Sequence, residues 1–372
     1  MRIGVLGGGQ LGRMLALEGI PLGNRFTFLE PSPHPPAAAV GTVISAPYDD
    51  LAALDRLADA VDVVTYEFEN VPAASAHLLA ERVPVFPPPA SLDATQDRLA
   101  EKRLFEELGI PVVPYRALDA PAELGDALDA VGLPAVIKTR RFGYDGKGQA
   151  VVRTAEEAER AATALGLGLI AESHISFERE LSVIGVRAAD GSRVCYPLTE
   201  NHHRGGILRA SWAPAPALTR ALLRTAERYA ALLMDRLEYV GVLAIELFES
   251  NDRLVANEIA PRVHNSGHWT LDGTQASQFE NHIRAVTGLP LAVPRARAPT
   301  AMLNIIGEMP DVTAVAALPG VHLHLYDKDP RPGRKLGHVN VVGATRETLV
   351  ERVDRLERLL RLADRKESSL RC

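Results

Sequence analysis

Cysteine, long apolar runs and long basic runs are scarce or missing in this sequence of 372 residues, and each shortage excludes a class of protein. The two cysteines, Cys195 and Cys372, provide neither a disulfide framework nor the CxxC spacing of a metal site. No apolar run approaches the ~20 residues that a helix needs to span a bilayer. The net charge of −6, without a Lys/Arg run, argues against nucleic-acid binding. Since the chain begins with a strand rather than a cationic leader, we expect a cytoplasmic protein that binds neither membranes nor nucleic acid.

The remaining composition is that of an ordinary globular protein, with 47% apolar and 24% charged residues. A chain of this length can bury more than one hydrophobic core. Changes in pattern along the chain predict three units. We expect a glycine-loop α/β domain over residues 1–90, a linker helix and a small lid over 91–180, and a C-terminal domain over 181–372.

A glycine-rich loop follows the first predicted strand. The segment GGGQLG at residues 7–12 satisfies GxGxxG, and the backbone N–H groups at such a helix N-terminus favour an anion. Glu30 lies eighteen residues beyond Gly12, near the position of the ribose-binding acid in dinucleotide folds. A nicotinamide-dependent oxidoreductase is therefore one alternative, although four prolines interrupt residues 31–36. Glu67 and Glu69 follow another buried strand, at a sheet edge where α/β folds bind ligands; which of them contacts a ligand stays open.

A second glycine-rich segment, TRRFGYDGKGQ at residues 139–149, connects two predicted strands. Its glycines and cationic side chains are typical of a flexible loop that covers phosphates. Lys138 ends the preceding apolar strand, where a buried ammonium group needs an anionic partner. The alternative is a mobile basic hairpin without a ligand.

The most informative segment runs from residue 240 to residue 269 and is predicted to contain a hairpin that turns at 250–252. If the hairpin is symmetric about Asp252, Glu246 lies directly opposite Glu258. Opposed carboxylates destabilise a sheet, and a divalent cation such as Mg²⁺ removes that conflict. The simpler interpretation is a hairpin with an exposed acidic face.

A dense group of polar side chains follows Glu258, and it favours the metal interpretation. The group consists of Arg262, His264, Asn265, Ser266 and His268. A metal site next to anion-binding donors is the arrangement that phosphoryl transfer requires.

Three further polar features have alternatives that stay open. His202 and His203 are interpreted as a phosphate contact or a surface loop, because no third metal ligand has suitable spacing. The segment KDPRPGRK at 328–335 is either an anion site or a basic turn. A helix predicted over residues 95–108 carries Arg98 and Lys102 one turn apart, and such a pair usually belongs to solvated surface.

Taken in order, these segments resemble the ATP-grasp enzymes and, more closely, the N5-carboxyaminoimidazole ribonucleotide synthetase family. The segments that carry the resemblance are GGGQLGRM at 7–14, YEFENVP at 66–72, QDRLAEK at 96–102, GYDGKGQ at 143–149, NEIAPRVHNSGHWT at 257–270 and RPGRKLGH at 331–338. The family commonly has Arg where Lys147 stands, a change that keeps the charge but loses the bidentate fork. The resemblance implies an ATP-grasp α/β fold with an N-terminal open parallel α/β domain, a small α+β lid and a C-terminal α+β domain.

The resemblance also implies the reaction and the residues that serve it. The enzyme would be a ligase that carboxylates 5-aminoimidazole ribonucleotide with ATP and bicarbonate, through carboxyphosphate, in de novo purine synthesis. ATP would be held by Arg98, Lys138, Tyr144, Asp145, Gly146, Lys147, Gly148, Gln149, Glu172, Ser173, His174, Ile175, Glu180, His203, Asn257 and Glu258. The ribonucleotide would contact Gly9, Gln10, Leu11, Glu69, Tyr144, Lys328, Arg331, Arg334 and Lys335. Bicarbonate chemistry would involve Arg262, His264, Asn265, Ser266 and Lys147, and the metal would bind Glu246 and Glu258.

The same resemblance implies ATP and Mg²⁺ or Mn²⁺ as cofactors, neither NAD nor biotin, and a homodimer. The base that deprotonates the acceptor amine is not identified; the released phosphate, His264 and Glu69 are the candidates. The alternatives are another ATP-grasp ligase or a formyl-phosphate-type transferase acting on a ribonucleotide, the oxidoreductase, and a catalytically inactive nucleotide sensor.

Overall fold

The structure, a computed structural model, describes residues 1–143 and 147–369, with side chains described up to residue 360. Tyr144, Asp145, Gly146 and Cys372, which the sequence analysis singled out, lie outside the described residues. The described strands form three sheets, of four, four and nine strands. None of the helices in the described ranges is long and apolar enough to cross a membrane.

The first sheet is parallel and has the strand order β3-β2-β1-β4. Its strands are β1 (Arg2–Leu6), β2 (Arg25–Leu29), β3 (Thr42–Ile44) and β4 (Val63–Tyr66), and its helices are α1 (Gln10–Gly19), α2 (Leu51–Ala60) and α3 (Ala73–Ala80). Strands β1 and β4 are hydrogen-bonded neighbours. Because the carboxyl ends of parallel strands meet at one edge, the glycine loop after β1 lies beside Glu67 after β4.

Two helices, α4 (Pro89–Thr95) and α5 (Arg98–Glu107), link the first sheet to the second. The predicted start of a single helix at residue 95 is therefore wrong. Asp97 takes an extended conformation and its carboxylate accepts a hydrogen bond from the Leu99 N–H at 2.9 Å, which begins a new helix.

The second sheet is antiparallel and has the strand order β5-β8-β6-β7. Its strands are β5 (Tyr115–Leu118), β6 (Ala135–Thr139), β7 (Gln149–Val152) and β8 (Leu169–Ser173), and its helices are α6 (Leu124–Val131) and α7 (Ala155–Leu165). The predicted phosphate-covering segment joins β6 to β7 at the edge of this small sheet.

The third sheet has the strand order β14-β13-β9-β11-β12-β15-β17-β16, and β10 pairs with β9. Its strands are β9 (Arg179–Arg187), β10 (Arg193–Cys195), β11 (Thr199–Arg204), β12 (Ile207–Ala213), β13 (Gly241–Ser250), β14 (Arg253–Ala260), β15 (Thr300–Ile306), β16 (Val321–Leu325) and β17 (Lys335–Val342). Its helices are α8 (Arg220–Arg236), α9 (Thr270–Gly273), α10 (Gln278–Val286), α11 (Val312–Ala316) and α12 (Arg346–Ser369). Strand β14 is an edge strand, a position that matters for the acid pair below.

One hydrophobic core joins the first sheet to the third. Val5 and Phe28 of the first sheet pack in the same buried cluster as Val242 of β13 and Phe279 of α10. The glycine loop is therefore held in a fixed position relative to the β13–β14 hairpin, because both are anchored in close-packed apolar contacts.

Candidate active site

A cleft of about 1220 Å³ lies where the three sheets approach each other. Most of the residues predicted to form the site line it: Gln10, Leu11, Glu69, Arg98, Lys138, Lys147, Gln149, Glu172, Ser173, His174, Ile175, Glu180, His203, Glu246, Asn257, Glu258, Arg262, His264, Asn265, Lys328, Arg331, Arg334 and Lys335. Among the described residues, the predicted site residues that do not line it are Gly9, Gly148 and Ser266.

The β13–β14 hairpin carries the two acids of the predicted metal site. Asn251 and Asp252, with φ of 51° and 58°, form a two-residue turn of the kind that joins twisted strands. Pairing is regular from Ser250 opposite Arg253 back to Leu247 opposite Ala256. A bulge then leaves Asn257 unpaired and shifts the register by one residue.

The bulge, rather than symmetry about Asp252, places Glu246 opposite Glu258. Without the extra residue, a two-residue turn would set Asn257 opposite Glu246. The predicted juxtaposition of the two acids is confirmed, but the predicted reason for it is wrong.

The two opposed carboxylates have different electrostatic surroundings. Burial, together with the neighbouring Glu258 carboxylate, raises the pKa of Glu246 to about 7. Burial would also raise the pKa of Glu258, but Arg98 and Lys138 hold it at about 2. The Arg98 Nη1 donates to Glu258 Oε2 at 2.9 Å. The ligand-free pair therefore retains a proton on Glu246 near neutral pH, while Glu258 is neutralised by Arg98.

The donor set fits a hard divalent cation. Two partly exposed carboxylates face each other in the cleft, and one of them has a protein cation as its partner in place of a metal. No cluster of three or more His, Cys, Asp or Glu residues suitable for a metal occurs in residues 1–143 or 147–369. An all-protein metal cage is thus not seen in that part of the chain, whereas Mg²⁺ commonly uses one or two carboxylates together with substrate phosphates.

A second buried network connects the second sheet to α5. The Lys138 Nζ donates to Glu172 Oε2 at 2.8 Å, so the anionic partner expected for this lysine is present. Lys102 Nζ lies 3.7 Å from the same oxygen. Burial alone would raise the pKa of Glu172, but Lys138 and Lys102 hold it below its usual range.

The interpretation of Lys102 as solvated surface is wrong, because its side chain is only 1% exposed. Leu99, Lys102 and Phe105 recur at intervals of three residues and are all buried. This apolar spacing was a sequence signal that the lysine belongs to the inner face of α5.

His264 is fixed by a chain of hydroxyl groups. The Ser182 hydroxyl donates to Ser266 Oγ at 2.8 Å, and Ser266 Oγ lies 2.9 Å from His264 Nδ1. The Ser266 backbone N–H also points to Nδ1, at 3.4 Å, so Nδ1 is the acceptor and the proton of the neutral imidazole is on Nε2. Burial and Arg262 lower the pKa of His264 to about 3, and Nε2 lies 3.6 Å from Glu246. Ser266 therefore positions His264 from below the cleft surface.

Gln278 is a site residue that the sequence analysis missed. Its side chain accepts from the His264 N–H at 3.0 Å and donates to the His264 carbonyl at 2.7 Å. It also lies 3.2 Å from His268 Nδ1. A glutamine in the first turn of α10 has no distinguishing sequence pattern, so only the tertiary contact identifies it.

The glycine loop binds carboxylates of the protein itself. Glu67 accepts hydrogen bonds from the N–H groups of Gly9 and Gly12 at 2.5 Å, and Glu30 accepts one from Gly8 at 2.9 Å. Burial raises the pKa of Glu67, an effect that the Gly12 and Gly9 N–H groups oppose. Glu67 faces the loop, whereas Glu69 lines the cleft, so contact of Glu69 with the substrate stays a prediction.

Glu69 and the basic segment face each other across the cleft. Arg262 Nε donates to Glu69, and Lys328 Nζ donates to Gln10 Oε1. Burial lowers the pKa of Lys328 to about 8. The basic residues 328–335 thus reach the glycine loop through Gln10, and they line the same cleft as Arg262.

The adjacent histidines have different environments. His203 Nδ1 lies 2.5 Å from Glu180 Oε2, and both residues line the cleft. His202 is more exposed and pairs with Glu200 at 3.1 Å.

Models of known families match three successive parts of the chain. The ribonucleotide synthetase preATP-grasp domain matches residues 1–96, the ATP-grasp domain matches 103–279, and the phosphoribosylaminoimidazole carboxylase C-terminal domain matches 300–352. The N5-carboxyaminoimidazole ribonucleotide synthase of Pseudomonas aeruginosa is 49% identical over 361 residues, which are 97% of this chain and 99% of that protein. The chain belongs to the N5-carboxyaminoimidazole ribonucleotide synthase family. The predicted family and the predicted ATP-grasp α/β fold are confirmed.

Solved structures of this family agree with the assignment. The synthetase from Thermus thermophilus has a TM-score of 0.93 and 51% identity and covers 96% of this chain and 98% of its own. The synthase from Aspergillus clavatus in complex with ADP and 5-aminoimidazole ribonucleotide has a TM-score of 0.87 and 32% identity, with 95% and 98% covered. The chain is therefore an ATP-dependent ligase that uses a small-molecule nucleotide substrate.

Membership of this synthase family makes the oxidoreductase interpretation of the glycine loop wrong. Glu30, its proposed ribose-binding acid, accepts hydrogen bonds from Gly8 and from the Tyr48 hydroxyl at 2.7 Å. Its carboxylate serves to fix the glycine loop.

Proposed function

We propose that this enzyme carboxylates the exocyclic amine of 5-aminoimidazole ribonucleotide, using ATP and bicarbonate and releasing ADP and phosphate. The observation that carries the proposal is the single cleft shared by the Glu246–Glu258 pair, the donors at 262–265 and the basic residues 328–335. One volume thereby offers a place for phosphates, for a small oxyanion and for a phosphorylated acceptor.

Glu246 and Glu258 would hold Mg²⁺ or Mn²⁺. When bound there, the cation would neutralise negative charge on the ATP phosphates. Arg98 and Lys138, which neutralise Glu258 and Glu172 without ligand, would then turn toward the phosphates. Their positive charge would stabilise the phosphoryl oxygens during transfer.

Bicarbonate would bind to Arg262, the Nε2–H of neutral His264, and Asn265. An oxygen of bicarbonate attacks the γ-phosphorus, the bond to the bridging oxygen breaks, and ADP leaves with that electron pair. The product is carboxyphosphate, whose C–O bond to phosphate then breaks to give CO₂ and inorganic phosphate. The amine nitrogen attacks CO₂ and loses one proton to a base.

The pKa shifts favour the released phosphate as that base. Burial and Arg262 lower the pKa of His264 to about 3, which makes it a poor proton acceptor. Burial would raise the pKa of Glu69, but Arg262 holds it below the usual range. Inorganic phosphate leaves carboxyphosphate with its oxygens deprotonated, and it is therefore the strongest base of the three.

The ribonucleotide phosphate would bind to Lys328, Arg331, Arg334 and Lys335, with the imidazole ring toward Glu69. The segment at 139–149 would cover the ATP phosphates and exclude water from carboxyphosphate. Gly143 and Lys147, at the described ends of its central part, line the cleft. We also propose a homodimer, which light scattering during gel filtration would test.

The direct test is the transfer of ¹⁸O from labelled bicarbonate to inorganic phosphate. One labelled oxygen per ADP, formed only when 5-aminoimidazole ribonucleotide is present, is the expected result. Phosphate without label would overturn carboxyphosphate formation. Formate in place of bicarbonate is the control for a formyl-phosphate-type transferase, and we expect it not to support ADP release.

A further inference from the structure

We propose that Glu101 and Lys102 are positioning residues that clamp the backbone of β14 at its bulge and thereby set Glu258 opposite Glu246. This inference rests on the proposed metal role of the two acids. Neither residue was singled out as a site residue by the sequence, and both lie on α5, outside the hairpin that they hold.

The contacts lie on both sides of Glu258. The Lys102 Nζ donates to the carbonyl of Asn257 at 3.0 Å, and Glu101 Oε1 accepts from the N–H of Ile259 at 2.5 Å. Asn257 is the unpaired residue of the bulge. Two consecutive side chains of one helix therefore hold the two peptide groups that flank the metal acid.

The edge position of β14 explains why these contacts are needed. The outer backbone groups of an edge strand have no partner strand, and a bulge disrupts the ladder on the inner side as well. Buried N–H and carbonyl groups must nevertheless find partners. The Ala256 N–H finds one in the Pro111 carbonyl at 2.7 Å, and the next two groups along the strand find theirs in α5.

A shift of one residue separates the observed register of β14 from the regular one. If β14 returned to regular pairing, Asn257 would lie opposite Glu246, and Glu258 would move to the next position. Because side chains alternate across a strand, Glu258 would then face away from Glu246. The bulged register leaves the Asn257 carbonyl and the Ile259 N–H to be satisfied from outside the hairpin, and α5 supplies a partner for each.

The same helix connects the hairpin to the Lys138–Glu172 ion pair of the second sheet. Arg98 of α5 pairs with Glu258 itself, and Lys102 lies 3.7 Å from Glu172, the partner of Lys138. Lys102 and Glu101 are almost fully buried, with 1% and 2% exposure. Helix α5 thus sets the metal acid relative to the lysine that would meet the phosphates.

The test separates positioning from general stability. Glu101→Met and Lys102→Met remove the acceptor and the donor with little change in volume. Glu101→Gln keeps an oxygen at Oε1 and is the conservative variant, and exposed Arg103→Met on the same helix is the matched control. EPR measures the dissociation constant of Mn²⁺ in the presence of a non-hydrolysable ATP analogue. Steady-state turnover at different Mg²⁺ concentrations gives the concentration required for half-maximal activity.

We expect both Met variants to raise the Mn²⁺ dissociation constant and the half-activating Mg²⁺ concentration about 10–100-fold. Turnover at saturating Mg²⁺ should recover to within severalfold, since the reacting groups are intact. Glu101→Gln and Arg103→Met should stay near wild type. A loss in Glu101→Gln equal to that in Glu101→Met would contradict the hydrogen-bond clamp.

The two proposals fail differently. If wild type does not bind Mn²⁺, or Glu258→Gln binds it equally well, the metal role is overturned and the clamp with it. If wild-type binding is lost in Glu258→Gln but unchanged in both folded Met variants, the clamp alone is overturned. Should the Met variants not fold, hydrogen exchange in the wild type decides: we expect a protected Ile259 amide, and rapid exchange would overturn the clamp.

Discussion

Two carboxylates in this molecule, the buried Glu67 and the partly buried Glu246, each lie beside a sequence feature that predicts a charged ligand. Glu67 accepts two hydrogen bonds from the glycine loop, whose N–H groups are typical of an anion site. Glu246 faces Glu258 and lies 3.6 Å from His264 Nε2, and burial lowers the pKa of His264 to about 3. The glycine loop supplies the hydrogen-bond donors for Glu67. Glu246 instead faces a second carboxylate, and we expect a bound cation to be its partner.

The comparison shows that a ligand-type motif is informative only when its partners are counted. The N–H groups of Gly8, Gly9 and Gly12 have carboxylate acceptors within the protein, and these hydrogen bonds fix the glycine loop beside the cleft. Glu258 pairs with Arg98, whereas Glu246 lies beside His264, whose pKa burial lowers to about 3, so we expect the acid pair to bind a charged ligand.

Replacing Glu by Gln at position 246 or at position 67 should have different consequences, and the largest effect is expected at Glu246. Glu246→Gln should lower ADP release by about 10²–10³-fold, the usual cost of losing one preorganised electrostatic group. The midpoint of thermal unfolding should stay the same or rise, because the amide replaces a carboxyl group whose ionisation is disfavoured by burial and by Glu258. Steady-state ADP release and calorimetry measure both effects.

Asp252→Asn is the matched control, because it removes one negative charge from the exposed tip of the same hairpin. It should retain turnover, since Asn tolerates the positive φ of 58° at that position. Turnover of Glu246→Gln within tenfold of wild type would contradict the assigned role.

The same change at Glu67 should destabilise the protein, whereas it should not do so at Glu246. Glu67→Gln should lower the free energy of unfolding by about 1–3 kcal/mol, because the new amide NH₂ group faces a glycine N–H that loses its acceptor. Mn²⁺ binding should stay unchanged. Chemical denaturation of Glu67→Gln beside the exposed Glu81→Gln measures this. Unchanged stability with lost ribonucleotide binding would show instead that the loop serves the substrate directly.

A pH dependence sharpens the comparison further, with a smaller effect. Burial and Glu258 raise the pKa of Glu246 to about 7 without ligand, so below that pH a cation must displace a proton. Mn²⁺ affinity should fall about tenfold per pH unit below 7 and be flat above it. Calorimetry in buffers of different ionisation enthalpy should detect about one proton released per Mn²⁺ at pH 6 and almost none at pH 8. Affinity independent of pH from 6 to 8 would contradict this state of Glu246.

The sequence predicted the three-unit pattern and most cleft residues because strand periodicity and turn residues are local signals. The hairpin predicted to turn at residues 250–252 is observed, with Asn251 and Asp252 at its tip. The position of Glu258 opposite Glu246 was also predicted, but the bulge at Asn257 was not. A bulge depends on contacts from another helix, which no pattern within the hairpin reveals.

The missed residues share a physical reason. Lys102, Glu101 and Gln278 are polar groups buried by tertiary packing, and sequence reasoning assigns such residues to the surface by default. The apolar spacing around Lys102 was the one available signal. The contact of Glu67 with the glycine loop was also missed, because the sequence pattern does not distinguish Glu67 from Glu69 as a ligand-binding residue.

The central claim is that the Glu246–Glu258 site supports ATP-dependent carboxylation of the ribonucleotide. ADP release with Mg-ATP, omitting bicarbonate and 5-aminoimidazole ribonucleotide in turn, tests it most directly in wild type and Glu258→Gln. We predict that release requires both compounds and collapses in Glu258→Gln. Release that needs neither compound, or that continues in Glu258→Gln, would contradict the account.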